Sequence, residues 1–258
     1  MKKTFLLLAA SLLLPLQAMA VQIKVGAMPT PHIPILEFIK PSLAEQGVEL
    51  EIVTLTGSIP GNLALVDGSL DATYTQHQPY LDAYVRENNA PLVSIGGIHI
   101  EPVGLYSSKI KKIEELKDGS TLAIPNDTSN LGRSLVLFHN NGLIRLKDPK
   151  NILSTVNDIA ENKKNLKFVL LQNTLIPRTL DDFDAGIILT NYCIEFGINP
   201  VTDSLILEGK SSPYANMIVT KKGRENEEAL QKLVQTLKTD EVREFLLKEF
   251  NGAVVPAF

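Results

Sequence analysis

Apolar and polar residues alternate from Ile23 to Ala27, which predicts a first β-strand. A loop with two prolines and His32 follows. Residues 33–46 then place apolar side chains at 35, 36, 39 and 43, the spacing of one helix face, and Gly47 stops the pattern. Pro41 lies inside that stretch and is expected to kink or divide the helix. Residues 49–55 read as a second strand. Strand, helix and strand at this spacing predict parallel strands joined by a crossover helix, an α/β fold.

The pattern continues along the chain. Pro60 suits the start of a short helix to Asp67, 70–74 is a short strand, and Pro79 opens a helix through Val85. Strands are expected at 92–98, 102–106, 121–124, 166–171 and 185–189, and an apolar strand begins around Asn216. Leu131, Leu135 and Phe138 share one helix face that ends at Asn141-Gly142. Leu230, Leu233, Val234 and Leu237 mark another amphipathic helix, and Val242, Phe245 and Leu246 begin the last.

The first 20 residues break this pattern. Lys2 and Lys3 precede an almost wholly apolar run, and Ala18-Met19-Ala20 offers a small-x-small cleavage site. This predicts a secretory signal peptide over 1–20, too short for a membrane span, with a mature chain from Val21. No cysteine follows the apolar run, so the expectation is a periplasmic molecule without a lipid anchor. Without Lys2 and Lys3 the mature chain has 23 basic against 29 acidic residues, a formal charge of −6. That balance argues against nucleic acid as a partner. The one cysteine, Cys193, has no disulfide partner in the chain, and about 238 mature residues can build a core without one.

Two short polar stretches lie beside strands, 106–109 and 209–213. They suggest two lobes, 21–106 plus 211–258 and 107–210, joined by two crossings that permit hinge closure over a ligand.

Four local groups carry candidate chemistry. Tyr74-Thr75-Gln76-His77-Gln78-Pro79-Tyr80 falls at a strand end and helix start, where open α/β sheets place binding groups. Its alternative reading is a polar turn with a helix-starting proline. In 126–134, Asp127, Thr128 and Ser129 are good helix caps, the backbone N–H groups there favour an anion, and Arg133 is suited to bidentate carboxylate binding. The plainer reading is a capped helix with a surface arginine. Asn216 enters an apolar strand and must find a backbone or ligand partner if buried. Asn191-Tyr192-Cys193 forms a polar group at another strand end. Zincin, phosphate-loop and nucleophile-elbow motifs are absent. His32, His77, His99 and His139 include no i, i+4 pair, so neither a metal nor a cofactor is expected, and the chain is read as a binding protein. A thiol hydrolase built on Cys193 has no local motif behind it.

Taken in order, these groups resemble the substrate-binding proteins of methionine ABC importers, the NlpA lipoprotein family. The matching runs are Asp71-Ala72, His77-x-Pro79-Tyr80-Leu81, Pro125-Asn126-Asp127-x-x-Asn130-Leu131-Gly132-Arg133-Ser134-Leu135 and Ser212-Pro213-Tyr214-x-Asn216-x-Ile218-Val219. The line Gly142-Leu143-Ile144-x-Leu146-Lys147-Asp148 and the ending Phe250-Asn251-Gly252 also match, so the likeness spans nearly all of the mature chain.

The resemblance implies a two-lobed periplasmic-binding-protein fold with an amino acid between the lobes and an importer permease as partner to a monomeric subunit. It implies that Arg133 grips the ligand carboxylate, that Asn216 holds the ligand backbone, and that His77 and Tyr80 flank its side chain, with Asn130 in the same pocket. Three positions depart from the family pattern. Thr75 stands for a phenylalanine, Ser58 for a tyrosine, and Leu189 for an asparagine that Asn191 is placed to replace. These changes raise the alternative of a larger or more polar ligand, such as a short peptide or modified amino acid. A further alternative is an exported sensor that keeps the fold without uptake.

Overall fold

The computed structural model describes residues 20–56, 61–209 and 212–258. The expected signal peptide, except Ala20, and Ser58 and Pro60 lie outside the described residues. No helix among the described residues is long and apolar enough to cross a membrane.

The chain begins β1 (Val21–Ala27), α1 (His32–Glu45), β2 (Val48–Thr54), α2 (Gly61–Asp67), β3 (Ala72–His77), α3 (Gln78–Asn88) and β4 (Leu92–Ile100). It then runs through β5 (Gly104–Tyr106), β6 (Thr121–Pro125), α4 (Thr128–Asn140), β7 (Arg145–Leu146), β8 (Ile159–Glu161), β9 (Lys167–Leu171), β10 (Ala185–Ile188), α5 (Thr190–Glu195) and β11 (Ile206–Leu207). It closes with β12 (Ala215–Lys221), α6 (Glu228–Thr236), α7 (Asp240–Glu249) and β13 (Val255–Pro256).

These elements form two lobes. The first has a six-stranded sheet in the order β13-β4-β12-β3-β1-β2, and the second a five-stranded sheet in the order β11-β5-β10-β6-β9. In the first, β1 pairs parallel with β2 and β3, as the strand–helix–strand pattern predicts, while β12 runs antiparallel between β3 and β4. Ile35, Leu36, Ile39 and Leu43 of α1 are buried with Leu230, Leu233 and Leu237 against one sheet face. Leu65, Leu81 and Met217 form a core on the other face. In the second lobe, Leu122, Leu131, Leu135 and Phe138 make the main core, and Tyr106, Ile176, Ile188 and Cys193 a smaller one.

Three sequence expectations need correction. Helix α1 continues through Pro41 as one element, because its buried stripe on both sides of the proline is fixed to one sheet face while Pro41 itself faces outward. Strand β3 runs to His77 rather than Tyr74, because tertiary pairing with Asn216 and Met217 of β12 carries it on. The first crossing between lobes lies at 101–103, not after Tyr106, because β5 pairs with β10 and β11 in the second sheet. The return crossing falls between Leu207 and Ala215.

Candidate functional site

The ends of β3, β12 and β4 in the first lobe face the start of α4 and the β10–α5 junction in the second. Between them lies a cleft of about 340 Å³. Arg133, Asn216, His77, Tyr80, Thr75, Asn130 and Asn191 all line it, so seven of the eight residues singled out from the sequence meet in one place.

His77 is the N-cap of α3. Its Nδ1 accepts the Tyr80 backbone N–H at 3.3 Å, and its Nε2 faces Asn130 Oδ1 across the cleft at 3.2 Å. With Nδ1 accepting, the one proton sits on Nε2 and donates to Asn130. Burial first, and the Arg133 charge second, push the His77 pKa down to about 3, so the ring is neutral. Asn130 is itself oriented by Asp127, whose carboxylate accepts its Nδ2 at 3.0 Å and its backbone N–H at 3.0 Å.

That Asp127 cap corrects one expectation. The start of α4 is occupied by a side chain of the protein and is not a bare anion site. Arg133, at the other end of the first turns, is 4 % exposed and lies over the Tyr214 ring at 4.3 Å. Its Nε donates to Glu208 at 3.1 Å, its Nη2 to the same carboxylate, and also to the Glu101 main-chain oxygen at 2.7 Å. The bidentate edge read from sequence as a ligand grip therefore holds a protein carboxylate. Its Nη1 makes no hydrogen bond among the described residues. Gly132 precedes it for a steric reason: a Cβ there would sit 2.0 Å from the Ile152 carbonyl oxygen.

Asn216 sits where β12 shifts register, and it pairs with His77 on one side and His99 on the other. Such an irregularity re-aims a side chain at a sheet end. Its Oδ1 lies 3.3 Å from His32 Nε2.

Several cleft residues escaped the sequence reading. Tyr84 follows Tyr80 by one helical turn and reaches the cleft from the same face of α3. Met28 and Leu55 add apolar wall, and Tyr192, named with Asn191 in the fourth sequence group, enters from α5. The i, i+4 repeat of tyrosine was the available signal for Tyr84. The largest omission is a fully buried cluster, His32, His99 and Glu101, whose donor atoms all lie within 4.8 Å of one another. His99 Nε2 is 2.8 Å and His32 Nε2 3.4 Å from Glu101 Oε1, and the Tyr74 hydroxyl bonds His99 Nδ1. Burial lowers the His32 pKa to about 4 and that of His99 to about 3. Burial raises that of Glu101, against the pull of His32 and Arg133. Cys193 is also buried, its thiol pushed up to about 12, which does not suit a nucleophile.

The NlpA lipoprotein family pattern matches residues 23–258. The chain is 44% identical over 211 residues to the D-methionine-binding lipoprotein MetQ of Escherichia coli K12, covering 81% of this chain and 78% of that one. A nutrient binding protein from Burkholderia cenocepacia, solved bound to methionine, superposes with a TM-score of 0.88 at 38% identity, over 92% of this chain and 100% of that one. A periplasmic substrate-binding protein of an ABC transporter from Coxiella burnetii gives 0.87 at 38% identity, over 91% and 100%. The chain belongs to the NlpA lipoprotein family.

Proposed function

We propose that this family member is the periplasmic solute-binding subunit of an ABC importer, holding methionine or a closely related amino acid between its lobes and delivering it to a permease. The observation that carries the reading is the convergence of His77, Asn130, Arg133 and Asn216, from three separate elements, on one cleft. Arg133 Nη1 is the carboxylate donor, Asn216 the ligand-backbone partner, and the Tyr80, Tyr84 and Tyr192 rings the side-chain walls. Rings and Met28 suit a thioether, which gains from sulfur–aromatic contact. A volume of about 340 Å³ lies near the lower end of the roughly 300–1,000 Å³ of small-molecule sites, which favours a single amino acid over a peptide. The His77–Asn130 bond joins the lobes across the site, as hinge closure requires.

A binding screen by calorimetry with L-methionine, D-methionine, methionine dipeptides and the other amino acids tests this. We expect methionine to bind with sub-micromolar Kd and dipeptides to bind more weakly. A dipeptide binding more tightly than any amino acid would shift the assignment to the larger-ligand reading, for which Thr75 at the cleft wall is the motivating position. Binding of none would remove the uptake function.

A further inference from the structure

Three buried side chains meet at the wall of the cleft. His32 opens α1, while His99 and Glu101 stand two residues apart at the end of β4, a spacing that sends both to one face of the strand. They are 2 %, 0 % and 6 % exposed. The rings of His32, Tyr74 and His99 pack edge-on against one another with centroids 4.7, 5.1 and 5.3 Å apart, so both imidazoles are held in place.

Their donor atoms converge. His32 Nε2, His99 Nε2 and Glu101 Oε1 all lie within 4.8 Å of one another. His99 Nε2 is 2.8 Å and His32 Nε2 3.4 Å from the carboxyl oxygen, and His32 Nε2 also faces Asn216 Oδ1 at 3.3 Å. Zinc bonds of about 2.0–2.1 Å at tetrahedral angles put neighbouring ligand atoms roughly 3.3 Å apart. The His32–Glu101 spacing meets that figure as it stands, and His99 has to withdraw by only about half an ångström.

The chemistry of each group suits ligation. Burial keeps both imidazoles neutral, with pKa values near 4 and 3, and the neutral ring is the form that binds metal. The Tyr74 hydroxyl bonds His99 Nδ1, the kind of outer partner that orients a ligating ring and leaves Nε2 for the ion. The Asn191 main-chain N–H donates to Glu101, and a carboxylate offers about four lone-pair sites, so that bond leaves others for a metal. Burial raises the Glu101 pKa, and an incoming ion displaces the proton that the metal-free group holds. Arg133 is the guanidinium that bears on the cluster, and Glu208 matches its charge.

We propose that His32 Nε2, His99 Nε2 and Glu101 Oε1 bind one divalent transition-metal ion of the Zn²⁺ class in the cleft wall. Two imidazoles and one carboxylate select such an ion over Mg²⁺ and Ca²⁺, which take oxygen ligands. Three protein ligands leave one position open. It faces the cleft, because His32 and Glu101 line it, and water or an atom of a molecule held there fills it. The ion enters by the same route. The site stands whatever small molecule the cleft carries.

The test uses the metal alone on the chelator-treated protein, with no amino acid present, so its outcome is separate from that of the uptake reading. Titration calorimetry with Zn²⁺ should give one site per chain with a Kd below about 10 μM. X-ray absorption of the zinc form should show two imidazoles around the ion. Glu101→Gln and His32→Gln should each weaken Zn²⁺ by at least about 100-fold, beyond the usual cost of losing an outer partner. Tyr74→Phe, which removes only the outer partner of His99, should weaken it by about 10- to 100-fold. His139→Gln, in α4 and outside the cluster, should leave it unchanged. Absence of a one-to-one site of that affinity in the wild type overturns the proposal, as does a site that survives Glu101→Gln and His32→Gln at full strength. Should either variant fail to fold, the absorption spectrum of the wild type decides alone, and fewer than two imidazoles at the zinc overturns the assignment.

Discussion

Glu101 on the first crossing and Glu208 on the second both stand beside Arg133, one through its main-chain oxygen and the other through its carboxylate. Glu208 is matched: a guanidinium faces it along Nε and Nη2, and the two charges cancel within the protein. Glu101 is set between two neutral rings at the cleft, where burial raises its pKa against the pull of His32, Arg133 and the Asn191 backbone N–H. The same residue type, at two equivalent joints of the same fold, therefore does two different jobs. The glutamate that meets an arginine fixes that arginine's edge, whereas the other is set among neutral rings and a main-chain N–H.

The strongest way to break this contrast is to remove the shared neighbour. Arg133→Ala takes away the carboxylate donor and strands Glu208, so affinity for L-methionine should fall by about 2–5 kcal/mol, roughly 30- to 4,000-fold. Unchanged affinity by calorimetry would place the ligand carboxylate elsewhere. Glu208→Gln sharpens the contrast. It removes charge-assisted hydrogen bonds worth about 1.5–3 kcal/mol of folding stability, read as a lower denaturant midpoint. L-methionine affinity should change by less than about tenfold, because Arg133 Nη1 is left in place. A loss as large as that of Arg133→Ala would make Glu208 part of the binding machinery.

Acid separates the two joints further. His32, His77 and His99 are buried and neutral, with pKa values near 4, 3 and 3, while in the unfolded chain each titrates near its ordinary value of 6.5. Between about pH 6.5 and 4 the unfolded state binds more protons, so stability is full above that window and is lost as pH falls through it. The loss is up to about 1.4 kcal/mol per pH unit for each histidine. Urea midpoints at pH 8, 6, 5 and 4 check this. A flat profile would mean that His32 and His99 already carry protons in the native state, making Glu101 an ion-paired carboxylate like Glu208.

Much of the site was legible because it is local. His77 and Tyr80 share one strand–helix junction, and Asn130, Gly132 and Arg133 share the first turns of α4, so each run announces its chemistry in a few residues. Glu101 was not legible. It sits two residues after His99 in a mostly apolar stretch from Ile98 to Leu105, and its other partner His32 belongs to α1, brought near only by the order of strands in the first sheet. A search for histidines at i, i+4 passes over His32 and His99, although their ring centroids lie 5.1 Å apart. A histidine and a glutamate two apart within a mostly apolar run were the signal available. The fold was read well wherever periodicity decided it and less well where pairing did: β3 extends because β12 lies beside it, and β5 belongs to the second sheet because β10 and β11 claim it.

The tyrosine distribution has an optical consequence. The chain contains six tyrosines and no tryptophan. Tyr80, Tyr84 and Tyr192 line the cleft, while Tyr74, Tyr106 and Tyr214 are buried beside or beneath it. No indole exists to collect excitation energy and dominate the emission, so the ultraviolet fluorescence of this protein is tyrosine fluorescence, and half of its emitters face the ligand. The molecule carries its own label at the point where the lobes meet.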